Sequence, residues 1–261
     1  MFKLGADPEL FMKDATDAFR SAIGMIGGSK HDPRPLEIGD GFAVQEDNVA
    51  VEFNIPPADS REQFINNISR AMSFLSDEVA RYGCHFVNVS STNQFSEQDL
   101  HHPMALEFGC DPDFNAWANG KRNPRPKAQD HALRTCGGHV HIGYQFKTKQ
   151  DLITFIKYCD LYLGVPAKLM DHGKERMQLY GKAGAFRWKS YGGEYRVLSN
   201  FWVFSPEYTG WVWDAMSTAM MAWQQEKVDI DAEGPMILDA INENNMEMAQ
   251  ALVQRHNLLM V

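Results

Sequence analysis

The stretch Gly138-His139-Val140-His141-Ile142-Gly143 constrains this chain more than any other. Val140, Ile142 and Tyr144 alternate with the residues between them, the pattern of a strand with one buried face. His139 and His141 then project together from the opposite face. Two imidazoles side by side suit one divalent metal, or one metal and one phosphate. A pair of hydrogen-bonded sheet histidines without a ligand has the same spacing, so this strand alone leaves both readings open.

The same design recurs along the chain. Asp7 and Glu9 share a face, as do Glu52 and Asn54, and Glu194 and Arg196. In Asn48–Asn54 the apolar face is Val49, Val51 and Phe53. Such alternation belongs to a sheet packed on helices on one side and open on the other. Singly, each pair has an ordinary reading. Asp7-Pro8 looks like a turn, Glu52 like an outward charge, and Glu194–Arg196 like an ion pair contributing ~0.2–1 kcal/mol if exposed. Together they place carboxylates and histidines where Lys, Thr and Ser are usual. That set suits hard divalent ions, Mg²⁺ or Mn²⁺, whose frequent partner is a substrate phosphate.

Complementary charge lies in Arg176…Tyr180-Gly181-Lys182-Ala183-Gly184…Arg187…Lys189. Glycines let backbone N–H groups approach an anion, and Lys and Arg neutralise it. A surface loop with solvated charges is the alternative. Neither the Walker A spacing nor a Rossmann fingerprint is present.

The 261 residues allow a sizeable core, and 44% hydrophobic with 23% charged residues is ordinary for a soluble globular protein. Net charge −9, with a pI near 5.5, argues against a nucleic-acid partner. Cys84, Cys110, Cys136 and Cys159 form no C-x-x-C pair and fit a reducing cytoplasm. The first residues lack a signal-peptide layout. The apolar stretch around Trp211–Trp223 carries Asp214 and is too short to span a bilayer. The expectation is a cytoplasmic chain without a membrane partner.

The pattern predicts short strands near 2–6 and 9–12, loops with short strands over 13–47, and a strand over 48–54 stopped by Pro56-Pro57. Ser60, with Gln63, caps a helix striped by Phe64, Ile68, Met72, Leu75 and Val79 and ended by Gly83. A strand follows over Cys84–Ser90, then a long polar connection over 91–135. Thr148 caps a helix to about Leu163, and Glu194–Ser199 reads as a strand. Residues 205–261 read as mainly helical, with a break near 227–234. Strands and helices do not alternate regularly, which predicts an α+β fold in a single domain spanning 1–261.

These motifs resemble a known family. Gly5-Ala6-Asp7-Pro8-Glu9 resembles the opening G-x-E-x-E strand of glutamate–cysteine ligases, and Val51-Glu52-Phe53-Asn54 their second metal strand. Cys136 to Gly143 is similar to their G-x-H-V-H-x-G strand, and Gly193-Glu194-Tyr195-Arg196 to the E-x-R strand shared with glutamine synthetase. Size, the Tyr-Gly-Lys-Ala-Gly segment and Glu194–Asn200 most resemble the phage-encoded carboxylate–amine ligases of type 2. The resemblance covers about residues 1–204. It departs where Asp7-Pro8 replaces Glu and a small residue, and where Gly192 replaces an arginine.

The resemblance implies a glutamine-synthetase-like fold, a curved, mainly antiparallel sheet with a polar concave face, backed by helices. It implies ATP-dependent amide formation through an acyl phosphate, with Mg²⁺ or Mn²⁺. The partners would be a small carboxylate and an amine, from an amino acid or peptide, in a host bacterial cytoplasm. Asp7, Glu9, Glu52, His139 and Glu194 would bind metal, and His141 would touch metal or phosphate. Arg196 and Arg187 would neutralise the transferring phosphoryl group, with Arg187 standing in for the missing arginine, and Lys182 would contact the nucleotide. Two other classes remain from the residues themselves. A zinc or binuclear hydrolase also uses H-x-H and carboxylates, and a non-enzymatic module that retains the fold as a binder or scaffold is the third class. Asp111, Asp113, Arg122 and Arg125 are candidate substrate contacts, and Cys110 and Cys136 candidate neighbours of the site.

Overall fold

The computed structural model describes residues 2–106, 113–124, 132–171, 173 and 175–261. Cys110, Asp111 and Arg125 lie outside the described residues. The strands are β1 (Lys3–Asp14), β2 (Phe19–Arg20), β3 (Arg34–Pro35), β4 (Ala43–Asp47), β5 (Ala50–Asn54), β6 (Cys84–Val87), β7 (Ser91–Thr92), β8 (Phe114–Asn115), β9 (Lys121–Arg122), β10 (Arg134–Thr135), β11 (Gly138–Gly143), β12 (Ala185–Lys189) and β13 (Gly192–Tyr195). The helices are α1 (Arg61–Ala80), α2 (Glu97–Leu100), α3 (Lys149–Cys159), α4 (Val165–Met170), α5 (Pro206–Gln224), α6 (Ile230–Asn242) and α7 (Met246–His256).

One 11-stranded sheet has the order β3-β4-β5-β1-β11-β13-β12-β8-β9, and β2 and β6 pair with the C-terminal end of β1. β7 and β10 pair separately. The large sheet is antiparallel and backed by helices, so the fold is α+β.

β1 runs unbroken through Asp7-Pro8, where the sequence suggested a turn. Pro8 lacks an N–H, which costs one rung of the ladder. Its neighbours hold the chain extended: Asp7 pairs with His139, Glu9 pairs with Glu52, and Glu9 N–H donates to Gly137 O at 2.9 Å. Leu4, Ala6, Leu10 and Met12 are buried in the main core.

Residues 43–54 form a hairpin whose first strand the sequence left within a loop region. Its two-residue turn is Asn48-Val49, with Asn48 at φ 56, a conformation asparagine tolerates. Hence β5 starts at Ala50, not at Asn48. Val49 leaves the face of Val51 and Phe53 and joins Phe11, Phe19, Ala50, Phe95, Ala105 and Cys136 in a second, smaller core. Phe11 and Ala50 share a face with Glu9 and Glu52, so this cluster closes one end of the polar side of the sheet.

On the other side, Ser60 Oγ accepts the Gln63 N–H at 3.3 Å, and the Gln63 side chain accepts the Asp59 N–H at 2.9 Å. This caps α1, which buries Phe64, Ile68, Ala71, Leu75 and Val79. Each large side chain so buried contributes about 1.5–3 kcal/mol. Phe64 stacks on Trp202 at 5.8 Å, so Phe64→Ala would open the seam between α1 and the segment leading to α5. Thr148 and Asp151 form a capping box on α3. The helix does not continue regularly to Leu163: Asp160–Gly164 is a widened π turn leading into α4. β13 ends at Tyr195 rather than Ser199, although Arg196 N–H still donates to Ala185 O at 3.0 Å. The C-terminal helices break after Gln224 and again after Asn242. Among the described residues no helix is long and apolar enough to cross a membrane. Cys84, Cys136 and Cys159 are buried free thiols.

Candidate active site

Register alone assembles the polar face. Residues paired across antiparallel strands share a face. Gln45 lies opposite Glu52, and Glu52 opposite Glu9. Asp7 lies opposite His139, His141 opposite Glu194, and Glu194 opposite Arg187. Gly137 and Gly138 make this possible. A Cβ on Gly137 would strike the His139 ring at 2.2 Å, and one on Gly138 would strike Ser199 O at 2.3 Å.

Two groups of ligand atoms result. Asp7, His141 and Glu194 offer atoms within 4.8 Å of one another, and so do Glu9, Asp47 and Glu52. His139 lies between them, its Nδ1 3.5 Å from Asp7, 4.0 Å from Glu9 and 3.9 Å from Glu194. His141 Nε2 approaches Asp7 Oδ2 at 3.1 Å, while Tyr191 Oη holds its Nδ1 at 3.0 Å. Asp7, His141, Glu9, Asp47 and Glu52 line one open cleft, together with Lys30, Arg187, Lys189 and Arg196, while Glu194 is fully buried against these cations.

The two groups differ in charge balance. Glu194 is surrounded by cations: Lys189 Nζ at 2.8 Å, Arg187 Nη1 at 3.4 Å, and Arg196 in direct contact. Burial works against its charge, but Arg196, with help from Arg187 and His139, holds it down to about 2. Asp7 follows the same logic. Burial opposes its charge, and His141 and His139 overcome that and keep it well below the usual range. His141 is raised because Asp7 outweighs burial, whereas burial and then Arg196 push His139 down to about 4.

The second group is only partly compensated, by Arg176 and Arg196 at Glu9 and by Arg196 and Lys30 at Asp47. Burial, then Asp47, raises Glu9 to about 7. Glu52 is raised well above its ordinary value by burial and by Asp47, Asp7 and Glu9. Asp47 is raised by burial against the pull of Arg196 and Lys30. Two buried carboxylates and a partly buried one that resist ionising together form a donor set for a hard cation. The first group fits a metal through different atoms. Asp7 Oδ1, His141 Nε2 and Glu194 Oε2 are buried without an aligned hydrogen bond. Their close contacts are with charged neighbours, Lys189 on Glu194 Oε2 and the two imidazoles on Asp7, which a bound cation would replace.

Residues 128–256 match the model of the phage phiEco32-like COOH.NH2 ligase-type 2 family. This is the family that the motifs resemble, and the match supports carboxylate–amine ligase activity in general. It covers the histidine strand, β12 and β13, while β1 and the β4–β5 hairpin lie N-terminal to it. No curated protein matches the chain.

The structure brings Asp7, Glu9, Glu52, His139, His141, Arg187, Glu194 and Arg196 together. It does not bring Lys182 to them. Lys182 is exposed in a turn whose Ala183 N–H donates to Asn242 of α6 at 2.9 Å. Asp113 faces Arg196 Nε at 3.9 Å, whereas Arg122 is exposed on β9. Arg176, at the start of the basic stretch, is buried and braces the backbone after β13 through Val197 O and Arg196 O. Asp47, Gln45, Lys30 and Tyr191 join the site although the sequence reading passed over them. Gln45 and Asp47 had a signal: spacing two, followed by Asn48 as a turn residue between two strand-like runs.

Proposed function

We propose that this protein is an ATP- and Mg²⁺- or Mn²⁺-dependent ligase that joins a small carboxylate to an amine through an acyl phosphate, within a glutamine-synthetase-like catalytic unit in the cytoplasm. The carrying observation is the pair of ligand groups, Asp7/His141/Glu194 and Glu9/Asp47/Glu52, beside Arg187, Lys189 and Arg196 at one cleft.

In this reading a substrate carboxylate oxygen attacks the γ-phosphorus of ATP and ADP leaves. The amine then attacks the acyl carbon, phosphate leaves, and the amine nitrogen gives up a proton. Bound divalent ions would neutralise phosphate oxygens and polarise the γ-phosphoryl group. Glu9, Asp47 and Glu52 would hold one ion, and Asp7, His141 and Glu194 another, with His139 at their boundary. Arg187 and Arg196 supply positive charge where the transferring phosphoryl group carries its negative charge. Lys189 and Lys30 stand on the cleft wall to hold the remaining phosphates. Tyr191 fixes the His141 ring through Nδ1 and leaves Nε2 toward Asp7.

The all-oxygen group is not the nitrogen- and sulfur-rich set that zinc prefers, which favours the ligase over a zinc hydrolase. The test is binding of a non-hydrolysable ATP analogue in the presence and absence of Mn²⁺, to wild type and to Glu9→Gln. Metal-dependent binding that Glu9→Gln weakens supports the ligase, and a screen of acid and amine pairs for ADP release then follows. A folded wild type that binds no analogue with Mn²⁺ refutes it.

A further inference from the structure

On the helix side of the sheet, directly behind the cationic half of the site, Asp160 is fully buried. Its Oδ2 accepts the Trp117 indole N–H at 2.6 Å and its Oδ1 accepts the Tyr195 hydroxyl at 2.9 Å. The Gly184 backbone N–H also favours its charged form. A buried carboxylate with only donors around it is well satisfied as an anion, and no group of the proposed chemistry touches it. Burial nonetheless pushes Asp160 up to about 7.

Each donor belongs to a segment that carries part of the site. Tyr195 lies between Glu194 and Arg196. Gly184 directly precedes β12, which carries Arg187 and Lys189. Trp117 follows Asp113, which faces Arg196. The three segments are also packed without slack. Ala116 N–H donates to Gly184 O at 2.9 Å, and a Cβ on Gly184 would meet Trp117 at 2.7 Å. A Cβ on Gly164, in the π turn, would meet the Tyr195 hydroxyl at 2.7 Å. Asp160 opens that π turn, so the widened turn aims its carboxylate at all three. Nothing equivalent links Asp160 to β1, β4 or β5, which carry Glu9, Asp47 and Glu52.

We propose that Asp160 is a positioning residue for the cationic half of the site, setting Arg187, Lys189 and Arg196 from behind the sheet while the strands that carry Glu9, Asp47 and Glu52 stay in place. This rests on the reading of the cleft as a metal and nucleotide site. It also gives the Tyr-Gly-Lys-Ala-Gly segment a structural role, as the turn that Trp117 and Asp160 fasten.

The test compares wild type, Asp160→Ala and Asp160→Asn in two titrations, one with Mn²⁺ alone and one with a non-hydrolysable ATP analogue at saturating Mn²⁺. Asparagine keeps the shape, but its single oxygen must serve the indole, which only donates, so its effect is smaller than that of alanine and its fold is safer. The part of the Mn²⁺ affinity that Glu9→Gln removes stays within about twofold, because its ligands lie on β1, β4 and β5, to which Asp160 makes no hydrogen bond. Analogue affinity falls about tenfold or more in Asp160→Ala, as misplaced charges demand, and less in Asp160→Asn. Hydrogen exchange rises over 113–118 and 184–196 and is unchanged over 3–14 and 43–54. Equal losses in both titrations overturn the proposal, since they mean general loosening. Unchanged analogue binding in the two variants also overturns it while leaving the nucleotide site intact. A wild type that binds Mn²⁺ but no analogue overturns the nucleotide reading itself, and the positioning role with it.

Discussion

Glu9→Gln should make the metal-free protein more stable at pH 8 while removing most of its response to metal. Glu9 is buried, and its carboxyl is raised from 4.5 to about 7 by burial and by Asp47. At about 1.4 kcal/mol for each tenfold change in acidity, that places about 3 kcal/mol against the ionised form in the folded protein. Because the folded value lies above the unfolded one, the unfolded chain releases this proton first. Stability from this group is therefore whole below about 4.5, declines as pH rises towards 7, and stays low above it. Glutamine removes that loss at pH 8. Its amide oxygen can still accept the Gly137 N–H, which Glu9 binds at 2.7 Å, but without charge assistance, at a cost of about 1 kcal/mol. The net gain is about 1–2 kcal/mol, or roughly 2–6 °C in melting temperature for a chain of this size.

The assay is thermal unfolding at pH 5 and pH 8, in EDTA and in MnCl₂. Wild type at a Mn²⁺ concentration one hundred times its dissociation constant gains about 2.7 kcal/mol. In Glu9→Gln one of three oxygen donors loses its charge and most of that gain disappears. The two proteins should therefore exchange rank between EDTA and Mn²⁺ at pH 8, and differ little in EDTA at pH 5. A Glu9→Gln protein that melts lower in EDTA at pH 8 and responds to Mn²⁺ like wild type would refute both the electrostatic argument and the cation site.

The other site residues give distinct expectations. Arg187→Ala removes a cation 3.4 Å from Glu194. It should lower the rate of ADP release about 100-fold and shift the metal response little, as read by steady-state kinetics against Mn²⁺ titration. Tyr191→Phe frees His141 Nδ1 from its 3.0 Å partner. It should weaken Mn²⁺ binding about tenfold, the usual cost of a lost outer-sphere contact, with unchanged melting in EDTA. Glu46 accepts the backbone N–H groups of Gly24, Ile26 and Gly27 at 2.8–3.1 Å. Glu46→Ala should cost about 1–3 kcal/mol by denaturant titration and raise hydrogen exchange over 24–34, the loop that carries Lys30 to the cleft.

The polar face was legible because alternation is a local property. Val140 and Ile142 assign His139 and His141 to the other face without knowledge of the partner strand, and Val51 and Phe53 do the same for Glu52. Sequence could not show which strands would be neighbours, because that depends on register between residues more than 100 positions apart, such as Glu9 and the Gly137 N–H. Two local signals misled. Asp7-Pro8 has turn chemistry, yet ladders on both flanks keep it extended. Lys182 sits in a glycine-rich basic stretch that looks built for an anion, yet Gly184 there is needed to let Trp117 approach. Asp47 was hidden for the opposite reason. A carboxylate beside Asn48 at the end of a charged run reads as a loop, and only the hairpin turns it toward Glu9 and Glu52. The same packing explains the electrostatics. Glu194 brings its counter-charges in neighbouring strand positions, so its compensation was already written in E-x-R and in the basic β12. For Glu9 and Asp47, Arg196, Arg176 and Lys30 pull against burial without overcoming it, Glu52 is raised as well, and an external cation is the physical way for all three to ionise together.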